Sequence, residues 1–155
     1  MIAITILSAL TAVTVAYIAL QQFLLAREKF KLDLFEKRFA VFKAVEKFIN
    51  EAIANRTVSM EVLQQFDRET QTASFLFDND IVTLIGEIRT KANTLTTLRG
   101  ERFQLPPGSE RVSASKREQD ILEEFITTQQ GLKNNFSAYL KFMTWKLGIS
   151  LPMTV

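Results

Sequence analysis

The first 26 residues, Met1 through Ala26, hold no charged side chain, and no other feature constrains the chain as strongly. At about 1.5 Å rise per residue, the roughly 24 residues from Ile2 to Leu25 make a helix of about 36 Å. That is enough to cross a hydrocarbon core of about 30 Å with some tilt. A cleavable leader would carry a positive n-region and a small-x-small site behind a shorter apolar stretch, whereas Met1 is followed at once by Ile2 and no A-x-A pattern closes the run. The expectation is a single transmembrane helix over residues 1–26.

Orientation follows from the cations. None precedes the run, while Arg27, Lys29, Lys31, Lys37 and Arg38 follow it closely, which places the C-terminal part on the cytosolic side. Arg27, Lys29 and Lys31 are also set to meet the membrane surface, where anionic lipid contributes about 1 kcal/mol per cation. The absence of cysteine agrees with a reducing compartment. Within the run, Thr5, Ser8, Ala12, Ala16 and Ala19 recur at three- and four-residue steps and so share one small-sided face. Such faces let membrane helices approach closely, which makes this one a candidate for self-association.

The rest of the 155-residue chain carries all 19 Lys and Arg and all 17 Asp and Glu, and its length suits one domain. Five glycines and three prolines leave few breaks, so long helices are expected. Thirteen phenylalanines supply bulk for packing between them. From Glu28 to about Asn55, Phe35, Phe39, Phe42, Val45, Phe48, Ile49, Ala52 and Ile53 repeat at helical spacing, with Leu34 and Val41 widening the apolar face. No breaker separates this stretch from the membrane run, so one nearly continuous helix of some 50 residues is predicted. Its broad face fits a bundle better than a two-stranded coiled coil.

Ser59 is placed to cap a second helix reaching about Ser74, with Val62, Leu63, Phe66, Thr70 and Ala73 inward. Phe75 to Asp80 breaks the pattern, and Asn79 or Asp80 would cap a third helix to Arg99, with Gly100 as its C-terminal cap. Its inward stripe runs from Ile81 through Ile85, Ile88, Ala92 and Leu95 to Leu98. Gly100 to Gly108, with Pro106 and Pro107, reads as the one long loop. A last helix from Ser109 to about Lys141 would place Val112, Ser115, Gln119, Leu122, Phe125, Ile126, Leu132 and Phe136 inward. The fold class is therefore all-α: an N-terminal transmembrane helix continuing into a cytosolic antiparallel bundle of about four helices over 27–141, and a tail over 142–155. Up-down-up-down order would put the proline loop far from the bilayer and return the tail towards it. Trp145 would then sit in the headgroup region or pack on the bundle.

Chemistry is thin on this chain. With no histidine and no cysteine, zinc sites and the common Cys-His and Ser-His pairs are excluded. Asp78-Asn79-Asp80 lacks the glycine and closing glutamate of a calcium loop, since Val82 and Leu84 stand at ligand places, and capping is the better reading. No metal, cofactor or enzymatic activity is expected. Arg89, Lys91, Arg99, Arg102, Arg111, Lys116 and Arg117 face only Glu101 and Glu110 around the proline loop, an electropositive tip. Arg99, Arg102, Arg111, Lys116 and Arg117 are the candidate residues for an anionic ligand there. Net charge of +2 gives no general call for nucleic acid.

The juxtamembrane stretch from Glu28-Lys-Phe-Lys-Leu-Asp-Leu-Phe to Phe42, with Phe75-Leu-Phe-Asp78 and Tyr139-Leu-Lys-Phe142, resembles a widespread group of small bacterial single-pass membrane proteins. The resemblance implies an inner-membrane location and the anchor-plus-helices layout, and carries over no functional residue. Two functions follow as expectations. One is a membrane-anchored interaction or scaffold protein, self-associating or bound to another protein. The other is a membrane sensor-effector whose basic tip takes an anionic ligand or partner and alters permeability.

Overall fold

The computed structural model describes residues 2–141, with side chains from Ala12 onward. Every regular element among them is helical: α1 Ile2–Asn55, α2 Met60–Thr70, α3 Ala73–Leu76, α4 Asn79–Gln104 and α5 Ser109–Leu140. The chain divides into two units, Met1–Lys37 and Arg38–Val155, and α1 runs through the division. The long first helix expected from the unbroken pattern is thus present, at 54 residues. Among the described residues no helix is long and apolar enough to cross a membrane. The uncharged part with described side chains, Ala12 to Ala26, is short of the roughly 20 residues a span needs and includes Thr14, Gln21 and Gln22.

The first unit, taken by itself, is α1 alone, held by its own backbone bonds and by pairs one turn apart. Gln21 donates to the Tyr17 hydroxyl at 3.2 Å, and Lys31 bridges to Glu28 at 2.6 Å. Large apolar side chains stand exposed on every side, Val13, Tyr17, Phe23, Leu25 and Phe30 among them.

The second unit is an antiparallel bundle. Its core is the wide apolar face of α1 (Val41, Phe42, Val45, Phe48, Ile49, Ala52) closed by Leu63 and Phe66 of α2, by Ile81, Ile88, Ala92 and Leu95 of α4, and by Leu122, Phe125, Leu132 and Phe136 of α5. Full burial of each such side chain stabilises by about 1.5–3 kcal/mol. Rings set the layers. Phe48 stacks on Phe66 at 4.0 Å between centroids, and at the Arg38 end Phe136 meets Phe42 and Phe77 edge-on at 5.4 and 5.3 Å. The order is up-down-up-down: Leu76 at the end of α3 and Tyr139 near the end of α5 both return to Arg38, while Arg99 of α4 lies beside Asn55.

Helix ends depart from expectation in instructive ways. Ser59 caps α2 as predicted, its Oγ accepting the Val62 N–H at 3.3 Å. That helix stops at Thr70, and a separate short turn, α3, carries Ala73 into the core and Phe77 after it. The cap of α4 is Asp78 rather than Asn79 or Asp80, and its carboxylate makes no capping bond because it accepts the Tyr139 hydroxyl instead. Gly100 is no C-cap. α4 continues through it to Gln104, which shortens the predicted long loop to the few residues between Leu105 and Gly108. In α5 the inward row begins with Ala114 and Glu118, not with Val112, Ser115 and Gln119, which are exposed, and Ile126 is exposed as well.

Candidate functional site

Three surfaces carry the residues singled out from the sequence. The first is the basic tip. Beyond Arg99, which still reaches the end of α1, the tip is formed by the end of α4, the connecting loop and the start of α5, with Phe103 and Val112 exposed.

The structure separates the predicted cations into two groups. Arg99 and Arg102 are used internally. The Arg99 guanidinium donates to the carbonyls of Asn55 and Arg56 at 2.7 and 2.9 Å, satisfying acceptors left open at the end of α1, where Arg56 takes a left-handed φ of 52°. Arg102 approaches Glu118, Nε to Oε2 at 3.1 Å, and Glu118 is only 4% exposed. Neither atom has an aligned hydrogen-bond partner among the described residues, so the contact is Coulombic more than directional. Arg89 is likewise paired with Asp67 and Lys91 with Glu124. Arg111, Lys116 and Arg117 remain exposed on α5. Glu118 escaped the sequence reading, since a glutamate among polar neighbours carries no periodic signal of burial; its spacing of four from both Ala114 and Leu122 was the available sign.

The second surface is the opposite end of the bundle, where α5 ends and α4 begins. The Tyr139 hydroxyl shares its proton between Asp78 Oδ2 at 2.9 Å and Asp80 Oδ1 at 3.0 Å. Desolvation first, and then the two accepting carboxylates, push its ionisation up to about 12. The Arg38 guanidinium lies 5.5 Å from the Tyr139 ring and 5.9 Å from that of Phe77, and its Nε donates to the Leu76 carbonyl at 2.9 Å. This cluster ties α1, at Arg38, to the end of α3, the start of α4 and the end of α5. Asp78 and Asp80 are thereby occupied in joining helices, and among the described residues no group of three or more His, Cys, Asp or Glu is placed to hold a metal ion.

The third surface is the outer face of α1. In the first unit, Ala12, Ala16 and Ala19 of the predicted association face are all exposed; Thr5 and Ser8 of that face lie outside the residues with described side chains, and Trp145 lies outside the described residues. Lys29 is exposed and Lys31 is half-buried against Glu28. In the second unit the outer face of α1 forms an open groove, floored by Ala40, Ala44 and Ala54 and rimmed by Lys43, Glu51 and Glu69.

No family model, no curated protein and no solved structure matches the chain, so the resemblance noted above rests on its motifs alone. Among the described residues the three surfaces bring the Asp78 and Asp80 carboxylates together around the Tyr139 hydroxyl, from which both accept. What they offer is contact area, charge and small side chains.

Proposed function

We propose that the chain is a membrane-anchored helical interaction module, with Met1–Ala26 in the bilayer, the bundle on the cytosolic side and self-association through α1. The observation that carries this reading is the state of α1 between Val13 and Phe30. Val13, Val15, Tyr17, Leu20, Phe23 and Leu25 lie 55–70% exposed, and at 100° per residue these positions point to all sides of the helix. A helix that is apolar all round belongs in a buried or lipid environment, and the bundle already has its own complete core. The cations from Arg27 onward fit the headgroup region on one side, and the pairing of Tyr17 with Gln21 satisfies two polar groups without outside help.

The alternative of a sensor-effector with an anionic ligand at the tip keeps support only from Arg111, Lys116 and Arg117, because Arg99 and Arg102 serve the fold. Flotation and alkaline carbonate extraction of the full-length chain test the anchor. The protein is expected to float with vesicles and to stay in the carbonate pellet. Release into the supernatant as a monodisperse soluble species would overturn the reading.

A further inference from the structure

Past Lys141 the apolar pattern changes period. Every second residue from Met143 to Val155 is apolar, in the order methionine, tryptophan, leucine, isoleucine, leucine, methionine and valine. The places between hold threonine, lysine, glycine, serine, proline and threonine. A period of two puts all of these apolar side chains on one side of an extended chain, and Gly148 and Pro152 weigh against a helix over the same residues. The structure shows where the stretch sets out. α5 ends at Leu140, and its cap Lys141 already has extended backbone, at φ −73° and ψ 124°. Just before it, the Tyr139 ring lies 5.5 Å from the Arg38 guanidinium. The stretch therefore leaves α5 beside Arg38 of α1.

The groove on the outer face of α1 opens close to that point, at Ala40, and extends to Ala54, with a volume of about 920 Å³. Clefts of about 300–1,000 Å³ bury drug-sized ligands, so this one has room for several large side chains. Half-exposed Phe39 stands at its near end. Lengths agree as well. From Ala40 to Ala54 the helix rises about 21 Å, which about six residues of extended chain cover at about 3.3 Å each, leaving the others to cross over from α5. Groove and stretch both belong to the second unit. Every regular element among the described residues is helical, so among them an extended segment finds no sheet edge to join and is held only through its side chains. One apolar and one polar side suit such a seat, the first on the alanine floor and the second in water.

We infer that residues 143–155 lie extended along this groove, running from Ala40 towards Ala54 with their apolar side on the alanine floor. The chain thereby covers the outer face of α1 in the second unit with a strap of its own, and Trp145 belongs to the bundle rather than to the headgroup region.

Trp145 is the one tryptophan of the chain, so its fluorescence reads the strap without a label. In full-length protein reconstituted into vesicles of phosphatidylcholine and phosphatidylglycerol, acrylamide is expected to quench it several-fold less than it quenches N-acetyltryptophanamide. Ala40→Glu combined with Ala54→Glu, at two exposed positions, should raise that quenching several-fold. Brominated acyl chains should leave the emission unchanged. Quenching by them would assign Trp145 to the bilayer and overturn the strap, as would quenching by acrylamide equal to that of the free compound, or shielding that survives both glutamates. Disulfides give a second measurement, since the chain has no cysteine. Under mild oxidant, Ala40→Cys with Leu147→Cys is expected to close within one chain several-fold more than Thr83→Cys with Leu147→Cys. Thr83 is a fair control because it is exposed on α4 near Asp80, which accepts from Tyr139 beside the start of the stretch. Equal yields from the two pairs, or disulfides only between copies, overturn the strap. Helical content is recorded for each variant, and the cysteine pairs decide the matter should the glutamate variant misfold.

Discussion

Phe23 and Phe48 are the same residue type on the same helix, and they live in opposite worlds. Phe48 is 3% exposed and stacked on Phe66; Phe23 is 65% exposed. Local propensity and helical geometry do not distinguish the two places, so the difference lies in what surrounds them. Around Phe48 the chain supplies its own cover from α2, α4 and α5, and burial there is part of folding. Around Phe23 the described residues supply none. One helix is therefore buried along one part by the fold while large apolar side chains on its other part stand exposed.

The comparison breaks most sharply on the buried side. Phe48→Ala removes a ring from a packed layer and is expected to cost about 3–5 kcal/mol in the unfolding free energy of the bundle, read by chemical denaturation. Retention in the membrane fraction should be untouched. A cost under about 1 kcal/mol would mean that the second half of α1 is no better covered than the first.

Glu118 sharpens the same contrast at the tip, formed by the end of α4 and the start of α5. Glu118→Ala leaves the buried Arg102 Nε without its counter-charge and is expected to cost about 1–3 kcal/mol, whereas Glu118→Leu combined with Arg102→Met should recover most of that loss. If the double variant is as unstable as the single, the pair is more than a satisfied charge.

Much of this contrast was legible in the sequence. The charge-free run, the long first helix, the inward stripes of α2 and α4, that of α1 from Val41 onward, and the Ser59 cap all follow from periodicity and capping chemistry, because those signals are local, whereas Phe39 of the same α1 row is 43% exposed. What failed was tertiary. Gly100 carries every mark of a C-cap, but packing of α4 on α5 through Leu98, Ala114 and the Arg102–Glu118 contact extends the helix past it and outweighs a propensity loss of about 1 kcal/mol. Arg99 and Arg102 look like free cations in a list of charges. Their partners, a helix-end carbonyl and a buried glutamate, are distant in sequence and invisible to a reading along the chain. Asp78 lost its capping bond to Tyr139 for the same reason.

Ser59→Ala is expected to cost about 1 kcal/mol by removing the cap of α2, and it carries a second readout. Glu61 sits in the first turn with its carboxyl held below the usual carboxylate range, by a bond to its own backbone and then by the Ser59 hydroxyl. A depressed folded-state value contributes stability above the unfolded pKa that is lost as pH falls through the folded one. The alanine variant should therefore lose less stability on acidification than the parent. Identical acid limbs would show that Ser59 does not act through Glu61.

Tyr139 gives an effect confined to high pH. Its ionisation is raised from 10.0 to about 12, so the neutral phenol is favoured by the folded state. That contribution is fully present below pH 10, where both states keep the proton, and is lost as pH rises from there to about 12. Tyr139→Phe has no such proton to lose. The stability gap between parent and variant should stay constant up to about pH 10 and narrow above it; a gap that holds constant through pH 12 would mean the hydroxyl ionises alike in both states.

The smallest expected effect falls on Phe23, and it decides the comparison. Phe23→Ala removes as many atoms as Phe48→Ala, yet the unfolding free energy of the bundle should change by no more than about 0.5 kcal/mol, as for other exposed positions. Loss of apolar area should show up elsewhere, as weaker partition of the chain into vesicles, since about 25 cal/mol per Å² of apolar surface is at stake wherever that ring is covered. A destabilisation above about 1 kcal/mol with unchanged partition would place the cover of Phe23 inside the fold. The two halves of α1 would then differ only in degree. A null effect on folding with a measurable loss of partition keeps them different in kind: one half contributes its rings to the core of the bundle, and the other offers its rings to a lipid surface.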